Sequence, residues 1–92
     1  MPCDIDSIIA QVRRRLPAVA VTQMHKSHPG DDDGIWWFRL PNVAKDIQIE
    51  SSSGNCPFIV EHDDMQTTAE AITATSVAEV VENIVMYLER LI

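Results

Sequence analysis

The chain has 92 residues, 46% of them apolar, and carries 14 acidic against 7 basic residues for a net charge of −7. That length bounds it to one domain over residues 1–92, with a core of two layers at most, and the apolar content argues against disorder. The acidic balance speaks against binding a phosphate backbone, and with no apolar run long enough for a membrane span and no basic leader ahead of the first apolar residues, the expectation is a cytoplasmic protein that engages neither nucleic acid nor membrane.

Residues 4–16 read as an amphipathic helix. Ile5, Ile8, Ile9, Val12 and Leu16 fall on one stripe, Asp4 or Asp6 can cap its start, and Pro17 forbids its continuation. Arg13, Arg14 and Arg15 close it, where positive charge complements the helix dipole. "AVAVTQM" (18–24) alternates and is β-branched, which predicts a strand; "HKSHPGDDDG" (25–34) reads as a loop. "IWWFRL" (35–40) is a strand stopped by Pro41, and "KDIQIESSS" (45–53) and "CPFIVEHD" (56–63) are two more. "AEAITAT" (69–75) is either a short strand or an extended lead-in. Ser76, with Glu79 three residues on, forms a capping box ahead of a helix with Val77, Val80, Val81, Ile84, Leu88 and Leu91 on its apolar side.

This order predicts an α+β fold: a two-layer sandwich in which an antiparallel meander of four strands, five if 69–75 adds one, carries the N- and C-terminal helices on one face. Register follows from the side-chain period of two. A two-residue turn at Gly54-Asn55 pairs Ile49 with Val60, Ile47 with His62 and Ser51 with Phe58. Pairing the preceding strands across Pro41–Ala44 sets Phe38 against Ile47 and Trp36 against Ile49. Both ribbons then place their apolar residues on the same face, and a one-residue slip in either would turn that set to water.

The opposite face carries Trp37, Arg39, Gln48, Glu50, Ile59 and Glu61, with Ile35 beside them. Tryptophan and arginine are the residues most enriched at binding hot spots. A mixed face with an indole and no evident cover therefore predicts a non-enzymatic module that binds a protein partner or a second copy of itself. The alternative is a small metal-binding or enzymatic domain using the 24–34 loop with Cys56 or His62. His25, His28, Asp31 and Asp33 are metal-friendly types, but adjacent aspartates miss the alternating calcium-loop pattern and the two histidines lack helical spacing. No catalytic residue and no cofactor are assigned: a nucleophilic Cys56 needs a nearby base, and His62 lies six residues away, about 20 Å along a strand. The two cysteines, Cys3 and Cys56, are expected to be reduced.

At "GIWWFRLP", "IQIESSSGNCPFIVE" and "SVAEVVENIVMYL" the chain resembles a set of small bacterial proteins with a G-[IL]-W-x-F strand, an [IV]-Q-[IL]-E-S-S-T-G-x-C-P-F hairpin and a terminal T-V-E-E-V-V helix. Ser53 stands where threonine is usual, and Ala78 replaces a glutamate. The resemblance implies a bacterial, soluble, single-domain protein and carries over no catalytic residue.

Overall fold

A computed structural model describes residues 3–24 and 34–92, and the side chain of Thr68 is not described. The described elements run α1 (Asp4–Arg15), β1 (Ala20–Gln23), β2 (Ile35–Arg39), β3 (Ile47–Glu50), β4 (Phe58–His62), a 3-10 turn (Thr68–Glu70), β5 (Ile72–Ala74) and α2 (Val77–Arg90). The ambiguous stretch 69–75 thus contributes a fifth strand. All five strands form one antiparallel sheet in sequence order, β1-β2-β3-β4-β5.

The registers are those that the alternating pattern demands. Trp36 faces Ile49 and Phe38 faces Ile47; Ile49 faces Val60 and Ile47 faces His62. Phe38, Ile47, Ile49, Phe58 and Val60 are fully buried. They share one core with Ile5, Ile8 and Val12 of α1 and Val80, Val81, Ile84, Val85 and Leu88 of α2, so both helices cover the same face of the sheet. Trp36 meets Phe58 edge-to-face, with ring centroids 6.3 Å apart.

The hairpin end departs from expectation. The β3–β4 ladder stops at the Glu50–Ile59 pair, so Ser51 does not pair with Phe58. Instead the Gly54 N–H bonds back to the Ser51 carbonyl, Ser51 Oγ donates to the Asn55 carbonyl, and the Cys56–Pro57 peptide is cis. The turn therefore runs through Ser52 and Ser53, not Gly54 and Asn55. The reason lies in α1. Its first residues claim the loop's polar groups: Ile5 N–H bonds to the Gly54 carbonyl, Asp4 N–H to Asn55 Oδ1, and Cys56 N–H to Asp4 Oδ2. Orphan donors of a helix start need acceptors, and the loop supplies them. Gly54 still has positive φ (74°), but its freedom serves this seat rather than a two-residue turn.

The caps differ in detail as well. Cys3, not an aspartate, stands at the α1 N-cap, and Asp6 reaches back to the Cys3 N–H. Ser76 Oγ accepts from the Glu79 N–H, while the Glu79 carboxylate accepts the Thr75 hydroxyl in place of the Ser76 N–H. Half of the expected capping box is therefore present. Among the described residues no helix is long and apolar enough to cross a membrane.

Candidate functional site

Two surfaces stand out, one on each side of the sheet. The first is the face on which no helix of the described residues lies. The registers put Thr22, Trp37, Gln48 and Glu61 in one row across it, and Ile35, Glu50, Ile59 and Thr73 in the next. Trp37 is half-buried and donates its indole N–H to Gln48 Oε1 at 3.1 Å. That bond fixes the ring against its strand neighbour. Arg39 and Ile59 are exposed, whereas Gln48, Glu50 and Glu61 are half-buried. Arg39 pairs with Asp46 at 3.2 Å, and a shallow hollow between them is lined by Thr22, Trp37, Arg39 and Asp46. All six residues expected on this face are there together. His25, His28, Asp31 and Asp33 lie outside the described residues. Among those described, no group of three or more histidine, cysteine, aspartate or glutamate side chains is placed to hold a metal ion.

The second surface is a cleft of about 440 Å³ between α2 and β5, lined by His62, Ile72, Asn83, Met86, Tyr87 and Arg90 among others. His62 ends β4 on the helix side. Its ring stacks on Tyr87, with centroids 4.0 Å apart, and the Arg90 guanidinium lies 5.3 Å from the Tyr87 ring centre. Burial and the Arg90 charge hold the His62 imidazole below its usual pKa, against the opposing pull of Asp64, Asp63 and Glu70. The Tyr87 hydroxyl is buried with no hydrogen-bond partner of ordinary geometry. Burial, and then the Asp64 carboxylate beside it, push its pKa up to about 12. Asp64 itself sits below the usual carboxylate range because Lys45 bonds to it at 2.5 Å. Glu70 is lowered by the backbone N–H groups of Gln66 and Thr67, which it accepts.

Cys56 and His62 are not brought together. Cys56 precedes β4 beside the α1 seat, in a hollow with Ser51–Ser53, while His62 is at the far end in the α2 cleft. Burial, followed by the hydrogen bond to Asp4 and its charge, raises the Cys56 thiol pKa. A nucleophile needs the reverse. Both cysteines are free thiols.

The cleft's aromatic and cationic members, Tyr87 and Arg90, are absent from the expected site. One signal pointed toward them. The register places His62 on the apolar face, where a half-buried imidazole must find a ring or a polar group in the layer above. No protein family, curated protein or solved structure matches the chain.

Proposed function

We propose that this chain is a non-enzymatic interaction module that docks a basic protein partner on the sheet face around Trp37, Arg39 and Ile59. The observation that supports it is the division of cover. Two helices shield one face, and the other presents an oriented indole beside an arginine and an exposed isoleucine. Hot spots combine such anchors with a rim of polar groups, here Gln48, Glu50 and Glu61. The net charge of −7 favours a partner of opposite sign and speeds its encounter.

Trp37→Ala tests this reading. The indole contributes nothing to the core, so circular dichroism should retain the wild-type spectrum. Immobilised wild-type chain should retain from its host's lysate a basic protein that the Trp37→Ala chain releases. Equal retention by both chains would remove this face from consideration.

A further inference from the structure

We propose that two copies of this chain join edge to edge along β5, extending the meander into a ten-stranded sheet with the two α2 helices antiparallel across the junction. This surface is separate from the docking face proposed above.

Backbone parity sets the edge. The Met24 N–H bonds to the Ile35 carbonyl and the Ser51 N–H to the Gly34 carbonyl. In an antiparallel ladder bonded and non-bonded pairs alternate. Carried across the registers, this makes Phe58–Ala74 and Val60–Ile72 the bonded pairs between β4 and β5. The N–H and C=O of Thr73 therefore point away from the sheet and have no partner among the described residues. An outer strand with an open row of such groups is a template for another strand. Thr73 opposite Thr73 of a second copy forms a bonded antiparallel pair with its two-fold axis on that residue.

The helix layer carries the matching half. Glu79, Asn83, Met86 and Arg90 lie at i, i+4, i+7 and i+11, one stripe along α2. Asn83, Met86 and Arg90 line the cleft above Ile72. Met86 is 62% exposed and Ile72 38%, an unusual outlay of apolar surface beside a bare strand edge. A two-fold axis perpendicular to the sheet reverses the stripe in the second copy. Glu79 of each chain then falls opposite Arg90 of the other, and Asn83 opposite Met86. Neither Glu79 nor Arg90 has an ion-pair partner among the described residues. The stripe is thus complementary in charge to its own reverse, as a two-fold interface requires. On the opposite flank of the helix, Glu82 is already engaged by Arg15 of α1.

Sedimentation of the 92-residue chain tests this pairing. Wild type should sediment as a dimer at about 100 μM, a concentration that saturates an interface of micromolar affinity. Arg90→Glu and Glu79→Arg should each be monomeric, because each places like charges opposite one another twice. An equimolar mixture of the two variants should recover the dimer, since every cross-chain pair is again opposite in sign. Thr73→Pro removes only an outward N–H, which an edge strand tolerates, and should also give a folded monomer. A monomeric wild type overturns the proposal. So does a dimer that survives both Arg90→Glu and Thr73→Pro, and if Trp37→Ala dissociates such a dimer, its interface is the open sheet face instead.

Discussion

Gly54 shows how one residue serves two elements. Its φ of 74° is a conformation that β-branched side chains resist, and a Cβ added there would stand 3.4 Å from Ile5 Cγ2 and 3.6 Å from Cys3 Cβ. A valine must fit two further methyl groups into the same seat. Gly54→Val should therefore lose about 1 kcal/mol or more, a fall of about 4–8 °C in Tm for a domain of this size. Thermal melts followed by circular dichroism check it, and a variant melting with wild type would contradict both the strain and the contact. The glycine was visible in the sequence as a residue needed for positive φ. Its role was not, because a local turn and a distant helix start make the same demand on the backbone.

At the scale of elements, the seat of α1 on the 51–57 loop turns on Asp4. Its carboxylate accepts the Cys56 N–H at 2.9 Å and raises the thiol's pKa. Asp4→Ala should cost about 1 kcal/mol, because it deprives that N–H of its acceptor. Asp4→Asn keeps an oxygen for the N–H but removes the charge. It should destabilise less, while Cys56 reacts faster with iodoacetamide at pH 8 than in wild type. Mass spectrometry separates Cys56 from Cys3 in this assay. An alkylation rate unchanged in Asp4→Asn would mean that the carboxylate does not govern the thiol.

The elements differ in how far their sequence revealed them. Strands β2, β3 and β4 were legible to the register because Trp36, Phe38, Ile47, Ile49, Phe58 and Val60 recur at every second position and two adjoining hairpins put them all on one face. Strand β5 has only three residues, too few for a period to declare itself. The open face was legible as the complement of the core face. The α2 cleft was not, since its lining comes from β4, β5 and α2 together, and no pattern within the helix encodes how it lies across those strands.

For the whole molecule, pH should act from both ends through the cleft. His62 has a folded pKa below its ordinary 6.5, so below that pH the unfolded chain takes up a proton that the folded chain refuses. Stability should fall as the pH drops from 6.5 toward the folded value. Asp64 and Glu70, also lowered, add losses of the same sign only below their ordinary 3.8 and 4.5. Among the described residues, His62 should thus contribute a decline in Tm between pH 7.5 and 5.5, and His62→Phe, which keeps a ring on Tyr87, should lessen it. Parallel curves for the two chains would refute the assignment. Tyr87 governs the alkaline side. Raised to about 12, it contributes stability below its ordinary 10 that is lost as pH climbs through the folded value. The chain has one tyrosine, so the rise in absorbance at 295 nm with pH reads Tyr87, the two tryptophans adding only a constant background. Its midpoint should lie near 12 in the native protein and fall to 10 in denaturant.

The meander has a bearing on how the molecule assembles. Among the described residues each strand pairs only with its neighbours in sequence, so each strand pair closes locally and can form without waiting for the rest. The first helix has no such freedom. Its resting place consists of the 51–57 loop and the far helix, which come from later in the chain. Its docking therefore depends on pieces distant in sequence, and lifting it would lay bare Ile8 and Val12, both fully buried in the native core.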